Sequence, residues 1–231
     1  MRFDVLTLFP EMIKANFEFS IMKRAVESGI LEINTVNPRD YTLNKHKKVD
    51  DTPYGGGAGM VLMPQPYVDA YEAVPKLENH CTIMLTPQGE PFNNKICTEL
   101  ASFEQIILLC GHYEGFDERI RTIIKPREIS IGDFVLTGGE LPALCLIDSI
   151  SRRLDGTLGK IASMEDDSFA DGLLEYPQFT KPREYRGLRV PEVLLNGNHK
   201  EIEEFRYSQK LERTKSRRPD LLDKRNQTKH P

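Results

Sequence analysis

Residues 130–154, SIGDFVLTGGELPALCLIDSISRRL, change their pattern at the glycine pair Gly138 and Gly139. Apolar and polar residues alternate before the pair as in a β-strand, and apolar residues recur at roughly helical spacing after it. Glu140 and Pro142 fall in the first turn, where an anion is favoured and a missing N–H costs nothing. A glycine pair that leads into a helix lets a flat or anionic ligand approach the backbone closely. The alternative is an ordinary loop before a core helix.

Two earlier segments show the same strand and loop organisation. Residues 81–85 and 105–109 are short apolar runs followed by the glycine-bearing segments 86–89 and 110–115, and a third run covers 129–136. About two dozen residues separate these runs, so each gap can hold a crossover helix between parallel strands. Because ligands of α/β sheets bind at the carboxyl ends of parallel strands, the three loops predict one ligand site.

The N-terminal residues favour an α/β class as well. The pattern predicts a strand over 3–8, an amphipathic helix over 11–28 that ends at Gly29, and a second strand over 31–36. A further helix is predicted over 66–74. Strand, helix and strand in this order are typical of a layered α/β domain.

The composition changes after the segment quoted above, first to glycines and acidic residues and then to a turn-rich stretch punctuated by prolines. A helix-like stretch is predicted to begin at Asp167, and residues 201–211 predict a charged amphipathic helix. We therefore predict a ligand-binding domain over 1–158, a flexible linker over 159–169 and a small helical domain over 170–231.

The net charge of −4 conceals an uneven distribution of charge. Residues 181–231 hold 14 Lys and Arg against 8 Asp and Glu, a balance of +6. Residues 1–180 hold 17 Lys and Arg against 27 Asp and Glu, a balance of −10, and the two balances give the total of −4. A basic C-terminal part on an acidic body indicates either a polyanionic partner or a solvated helical surface.

The composition is that of a soluble globular protein, with 39% hydrophobic and 29% charged residues among 231. No apolar run approaches the roughly 20 residues of a membrane helix, so no membrane association is expected. The cysteines are 16, 13 and 35 residues apart, without a CxxC pair. Buried, reduced thiols in a cytoplasmic protein are therefore expected. The four are Cys81, Cys97, Cys110 and Cys145.

Several common catalytic classes lack their motifs. Residues 55–59 are glycine-rich, but no Lys-Ser or Lys-Thr pair follows them, which excludes a P-loop NTPase. The five histidines form neither an HExxH motif nor a Ser-His-Asp order, and no GxGxxG follows the first strand. Residues 39–59 instead predict a loop, either a flap over the site or a plain mobile loop.

Three side chains remain as candidates for chemistry, and each has a structural alternative. Arg152 lies near the end of the helix that follows the glycine pair, where a surface arginine also suits the helix dipole. Asp167 could be the N-cap of the helix predicted to follow it. Glu114 lies in a glycine-flanked loop, either as a turn residue or as a functional carboxylate.

Four segments together closely resemble the bacterial tRNA (guanine-N1)-methyltransferases, a family of the SPOUT superfamily. They are CGHYEGFDERI at 110–120, SIGDFVLTGGELPALCLIDSISR at 130–152, EDDSFADGLLEYPQFTKP at 165–182 and VLLNGNHKEIEEFR at 193–206. The likeness covers nearly the whole chain. This resemblance, and not the residue patterns, implies methylation of guanosine 37 in tRNA.

The resemblance implies a trefoil-knotted α/β domain with a mainly parallel sheet, and a small α-helical domain that binds tRNA. S-adenosylmethionine would bind in a bent shape within the three loops, with backbone groups of residues 131–136 at the adenine. Its implied contacts are Thr86, Pro87, Gly111, Tyr113, Glu114, Ser130, Ile131, Gly132, Asp133, Phe134, Val135, Leu136, Gly138, Gly139 and Pro142.

The same resemblance implies a site completed across a homodimer, with Asp167 as the general base and Arg152 as its partner. A carboxylate can accept the proton of guanine N1, and a guanidinium can stabilise the charge that develops on O6. Mg²⁺ is implied as well, with Glu114 and Asp167 as candidate ligands. The implied contacts to tRNA are Lys45, His46, Asp50 and Ser163.

One position departs from the pattern of the family. Several of its members carry an arginine where this chain carries His112, so a permanent cation is lost at that point. Two other functions remain open from the sequence. One is methyl transfer by the same fold to another RNA site, and the other is RNA binding without catalysis.

Overall fold

The structure is a computed structural model that describes residues 1–157 and 166–227, with side chains described as far as Asp223. The chain forms two compact units, Met1–Gly159 and Lys160–Pro231. Ser163 and most of the linker predicted over 159–169 lie outside the described residues.

The first unit alternates strands with helices. Its elements are β1 (Arg2–Leu6), α1 (Pro10–Lys14), α2 (Ser20–Glu27), β2 (Glu32–Val36), β3 (Asp50–Asp51), β4 (Val61–Leu62), α3 (Pro64–Ala73), β5 (His80–Pro91), α4 (Asn94–Leu100), β6 (Gln105–Cys110), α5 (Glu118–Ile124), β7 (Arg127–Ser130) and α6 (Glu140–Ser151). The strands predicted over 3–8, 31–36 and 105–109 are confirmed by β1, β2 and β6. The helix predicted over 66–74 is confirmed by α3, and the crossover helices by α4 and α5.

Five strands form a wholly parallel sheet in the order β2-β1-β6-β5-β7. β1 lies between β2 and β6, so that Leu6 is paired with both Val36 and Leu109. Every residue of β6 is buried, as in a strand that is covered on both faces. Alternate residues of the strands accordingly enter two separate apolar clusters. The predicted α/β class with a mainly parallel sheet is confirmed.

The single helix predicted over 11–28 is wrong, because the segment contains a break. A 3₁₀ turn follows α1, and α2 begins at Ser20, whose φ of 56° lies outside the helical region. Phe19 before it is extended. Ile13 of α1 and Ala25 of α2 still enter the same apolar cluster, so both helices pack against the same core.

The boundary of β7 also differs from the prediction. This strand ends at Ser130, and residues 131–139, predicted in part as strand, form a loop. α6 begins at Glu140, directly after the glycine pair, as predicted. Leu144, one of the apolar residues that recur at helical spacing in α6, is only half-buried. The buried apolar residues of this helix are Ala143, Leu146, Ile147 and Ile150.

The predicted loop over 86–89 lies within β5, which continues past a register shift between Leu85 and Glu90. A Cβ atom at Gly89 would lie 2.4 Å from the backbone nitrogen of Ile129 in the neighbouring strand. Only glycine allows the two backbones to approach this closely. Gly89, which the local sequence pattern assigns to a turn, is therefore needed for the packing of β5 against β7.

The second unit is mainly helical. Its elements are a hairpin of β8 (Glu184–Tyr185) and β9 (Leu188–Arg189), a 3₁₀ turn at Glu192–Leu194, and the helices α7 (His199–Arg217) and α8 (Pro219–Gln227). The helix predicted over 201–211 is present and longer. The helix predicted to begin at Asp167 is wrong, because residues 166–173 form turns and bends.

Side-chain contacts fix α7 against the segment that precedes the hairpin. Lys210 is buried, and its Nζ lies 2.8 Å from Oδ2 of Asp171. Thr214 is also buried, and its hydroxyl accepts a 2.9 Å hydrogen bond from the amide of Leu174. These two contacts satisfy polar groups that would otherwise be costly to bury.

The four cysteines are free. Cys97 and Cys110 are buried, Cys81 is half-buried and Cys145 is exposed, so the expected burial holds fully for two of them. Within 1–157 and 166–227, no helix combines the length and the apolar character needed to cross a membrane.

The N-cap of α5 generates a prediction about stability at acid pH. Asp117 accepts hydrogen bonds from the backbone and the side chain of Arg119, and the side-chain bond holds the pKa of Asp117 below its ordinary value of 3.8. A carboxylate whose pKa is lowered by folding stabilises the fold above its unfolded pKa and loses this effect as the pH falls through the folded pKa.

We therefore expect Asp117→Asn to be less stable than the wild type at pH 7, with a difference that shrinks as the pH falls below 3.8. Asp117→Ala also loses the cap and should cost about 1 kcal/mol at pH 7. Urea unfolding at pH 7, 4 and 3 measures both effects. A difference between Asp117→Asn and wild type that does not change with pH would contradict this account.

Candidate active site

A cavity of about 470 Å³ lies at the carboxyl ends of β6 and β7 and beside the irregular part of β5. The three glycine-bearing segments meet there. Of the residues named from the sequence for cofactor binding, Asp133 does not line the cavity. Those that do are Thr86, Pro87, Gly111, Tyr113, Glu114, Ser130, Ile131, Gly132, Phe134, Val135, Leu136, Gly138, Gly139 and Pro142.

Two of these segments are joined backbone to backbone. The amide of Gly139 donates a 2.8 Å hydrogen bond to the carbonyl of Gly111, and His112 pairs with Gly138 in an antiparallel bridge. A Cβ atom at Gly139 would lie 2.7 Å from the Cα atom of Cys110. A side chain at this position would separate the two segments, so the second glycine of the pair is needed for their contact.

The third side of the cavity is the loop after β7. Ser130 and Gly132 exchange hydrogen bonds of 3.1 and 3.2 Å through the serine hydroxyl, and Gly132 has a φ of 152°. The amide of Phe134 donates to the carbonyl of Gly132. Phe134 and Val135 expose 54% and 83% of their surface, so this tight turn presents apolar side chains. Exposed apolar side chains in a cavity suit a flat heterocycle.

A buried carboxyl group lies behind the glycine pair. Glu140 is 2% exposed, and its Oε1 accepts a 2.7 Å hydrogen bond from the hydroxyl of Thr7, which follows β1. Its Oε2 lies 3.9 Å from Nε2 of His112, whose ring packs on Phe9 at a centroid distance of 4.9 Å. Glu140 thus connects the first strand to both loops of the cavity. This contact was not predicted from the sequence. The feature of the sequence that could have indicated it is a glutamate within an otherwise apolar helix.

The glycine-rich segment before β4 packs against the loop that carries Glu114. The amide of Glu114 donates to the carbonyl of Met60, and the amide of Leu62 donates to the carbonyl of Gly115. A Cβ atom at Gly59 would lie within 2.2 Å of the Glu114 carboxyl group. The segment predicted as a flap or a mobile loop is therefore in contact with a wall of the cavity.

The residues named for contacts to tRNA lie on this same segment, apart from Ser163, which is outside the described residues. Asp50 is half-buried in the short β3–β4 pair, opposite Leu62. Lys45 and His46 are exposed in the preceding loop. Lys45, His46 and Asp50 do not line the cavity.

Comparison with known proteins identifies the family. The family model described as tRNA (Guanine-1)-methyltransferase TrmD matches residues 1–224. The chain belongs to this family. Two relatives named tRNA (guanine-N(1)-)-methyltransferase, from Staphylococcus aureus strains JH9 and Newman, are 56% identical over 224 residues, which are 97% of this chain and 91% of each relative. Membership of the TrmD family confirms the SPOUT fold class predicted from the sequence and implies its trefoil knot.

The two residues named for catalysis in this TrmD-family chain belong to different units. Arg152 caps the C-terminal end of α6, and its side chain is exposed. Asp167 lies in the second unit and is half-buried. Because turns rather than a helix follow Asp167, its alternative role as a helix N-cap is wrong. The catalytic roles of both residues stay predictions.

The described part of the chain contains no group of three His, Cys, Asp or Glu side chains that could hold a metal ion. Glu114, one of the two residues named for Mg²⁺, lines the cavity. The other, Asp167, is in the second unit.

The buried contact between Thr7 and Glu140 gives a second prediction. Thr7→Val keeps the shape of the side chain but removes the hydroxyl that donates to Glu140 and accepts from the amide of Phe9. Leaving buried polar groups without partners should lower the free energy of unfolding by about 1–3 kcal/mol. Thr7→Ser retains the hydroxyl, and its free energy of unfolding should fall much less. Equal urea midpoints for the valine variant and the wild type would show that the contact is not important for stability.

Proposed function

We propose that this chain transfers the methyl group of S-adenosylmethionine to N1 of guanosine 37 in tRNA. The observation that carries the proposal is the cavity formed by the three glycine-bearing segments, in a chain that belongs to the TrmD family over residues 1–224. Its relatives in Staphylococcus aureus are named tRNA (guanine-N(1)-)-methyltransferase.

The cavity has the chemistry that S-adenosylmethionine requires. Its volume of about 470 Å³ is in the range of small-molecule sites. Ile131, Phe134 and Leu136 offer apolar side chains to the adenine, and the backbone groups between them can read its polar edge. Gly138 and Gly139 line the cavity, and their lack of side chains lets this segment pack directly on His112 and Cys110. When bound, S-adenosylmethionine supplies a methyl group on a positively charged sulfur.

Asp167 is the proposed general base. Guanine N1 carries a proton at neutral pH and is a poor nucleophile until a base accepts that proton. The carboxylate of Asp167 would accept the N1 proton while the methyl group of S-adenosylmethionine is transferred from its sulfur to N1, with S-adenosylhomocysteine as the other product. Arg152 is proposed to face O6 of the guanine, where negative charge develops as the proton departs.

The other proposed partners follow from the same assignment. Lys45, His46, Asp50 and Ser163 would contact the tRNA, and the second unit, with its balance of +6 over residues 181–231, would bind it. The active site would be completed in a homodimer. Mg²⁺ would be held by Glu114 and Asp167. A cytoplasmic location suits both a tRNA substrate and four free cysteines.

The position of methylation tests the assignment directly. Purified protein is incubated with labelled S-adenosylmethionine and with transcripts that carry either guanosine or adenosine at position 37. We expect label in the first transcript only, and primer extension should stop next to residue 37. Equal labelling of both transcripts would instead support a SPOUT methyltransferase for another RNA site. Tight tRNA binding without any labelling would support an RNA-binding module.

Variants of the proposed acid-base pair give the next prediction. Asp167→Asn and Arg152→Gln should lower the single-turnover rate by about 10²-fold or more, because each removes a group that acts in the transition state. Calorimetric affinity for S-adenosylmethionine should change little, since neither residue lines the cavity.

The matched control is Asp166→Asn. Asp166 is the neighbouring carboxylate and accepts a 3.1 Å hydrogen bond from the hydroxyl of Tyr176, which an asparagine oxygen can still accept. This variant should keep a rate close to that of the wild type. If Asp167→Asn transfers methyl groups as fast as Asp166→Asn, then Asp167 is not the base.

A further inference from the structure

A second cavity, of about 440 Å³, lies wholly within the second unit. Segment 176–183 lines one part of it and the first half of α7 another. None of the residues proposed for methyl transfer or for cofactor binding lines this cavity. It therefore needs an explanation of its own.

Arg206 on α7 is the side chain that defines the chemistry of this cavity. Its guanidinium carbon lies 4.7 Å from the ring centroid of Tyr176, within the range of a cation–π contact. Its Nε atom is buried and has no hydrogen-bond partner among the described residues, which is costly for the folded chain. Arg206 as a whole is half-buried and lines the cavity, so its guanidinium group can contact a ligand bound there.

Two other arginines of the second unit form ion pairs with carboxylates. Nε of Arg189 lies 2.7 Å from a carboxylate oxygen of Glu184, and Nη2 of Arg218 lies 2.8 Å from Oδ2 of Asp220. Neither arginine lines the cavity. Arg206 forms no such ion pair with any residue whose side chain the structure describes. Its charge is available to a ligand.

The remaining lining combines positive charge with aromatic surface. Lys181 and Arg183 join Arg206, and no aspartate or glutamate is among the described lining residues. Phe179 and Phe205 provide aromatic walls, and Phe179 is 46% exposed. The ligand that this lining fits is therefore anionic at one end and flat or apolar at the other.

We infer that this cavity binds one nucleotide of the tRNA, as a site separate from the cavity proposed for S-adenosylmethionine. The nucleotide's phosphate accepts hydrogen bonds from Arg206, and its base stacks on Phe179. A guanidinium fork matches the geometry of a phosphate, and an aromatic face accepts a base of a single-stranded segment. The balance of +6 over residues 181–231 favours a polyanion over an acidic peptide of a few charges. The inference rests on the proposed function, since that function makes tRNA the substrate.

The test compares two variants that remove different parts of the cavity. Dissociation constants for a tRNA transcript are measured by fluorescence anisotropy over a series of salt concentrations. Arg206→Gln should weaken binding by about tenfold at 0.15 M salt and reduce the slope of log K against log salt by about 0.7, the value for one phosphate contact. Phe179→Leu should also weaken binding about tenfold, but with an unchanged slope, because it removes only stacking.

Arg189→Gln is the matched control, since it removes the same charge from the same unit outside the cavity. It should alter both the affinity and the slope less than Arg206→Gln does. Circular dichroism on heating and calorimetric binding of S-adenosylmethionine check that each variant is folded. Because Phe179 is partly exposed, its variant tests the cavity even if Arg206→Gln does not fold.

The outcomes separate this inference from the proposed function. If the wild type methylates guanosine 37 but Arg206→Gln and Phe179→Leu bind tRNA as Arg189→Gln does, only the nucleotide cavity is wrong. If the wild type neither binds nor methylates tRNA, the proposed function fails and the inference fails with it. A loss of tRNA affinity in both cavity variants, with the slope of log K against log salt changed only in Arg206→Gln, establishes the assignment.

Discussion

The hydrogen bond from the amide of Gly139 to the carbonyl of Gly111, at 2.8 Å, is the contact on which the organisation of the first unit depends. It brings the segment after β6 against the segment before α6, two parts of the chain that belong to different strands of the sheet. No side chain fits between them, because a Cβ atom at Gly139 would be 2.7 Å from the backbone of Cys110. The cavity is the space that remains once these backbones are in contact.

The same contact explains why a carboxyl group is buried in the apolar first turn of α6. Glu140 follows directly after Gly139, and the close approach of the two segments leaves its side chain directed toward Thr7 and His112. Burying such a group is costly unless its oxygens have partners, and Thr7 at the end of β1 supplies one. The glycine pair that lines the cavity is therefore followed by a polar contact that spans 133 residues of sequence.

The chemistry of the protein is divided between its two units. The first unit offers backbone groups and apolar side chains around one cavity, which suits a small cofactor with a flat ring. Residues 181–231 of the second unit carry an excess of basic residues, and this unit has a cavity of its own, in which Nε of Arg206 lacks an acceptor. A small cofactor is recognised by a mostly apolar cavity and a polyanion by a positively charged surface. The separation into units allows both in one chain.

Several features were predictable from the sequence because they depend on local patterns. The strands β1, β2 and β6 follow from short apolar runs, α3 and α7 from helical periodicity, and the meeting of the three glycine segments from the rule that loops of a parallel sheet gather at one edge. The family motifs could be recognised for the same reason, since each is a contiguous run of residues. The family resemblance also implied Asp133 as a contact of the cofactor, but this residue does not line the cavity although its neighbours in the loop do.

The sequence by itself determined the parallel α/β class, the position of the glycine segments and the family, because each of these is encoded by residues that are adjacent in the chain. The tertiary structure alone decided the break before Ser20, the passage of β5 beside β7 at Gly89, the contact of Glu140 with Thr7 and the cavity around Arg206. In the last three of these cases the deciding neighbour is distant in sequence or belongs to another element. Local periodicity reports which face of an element is apolar, but it does not report which side chain or backbone will lie against that face.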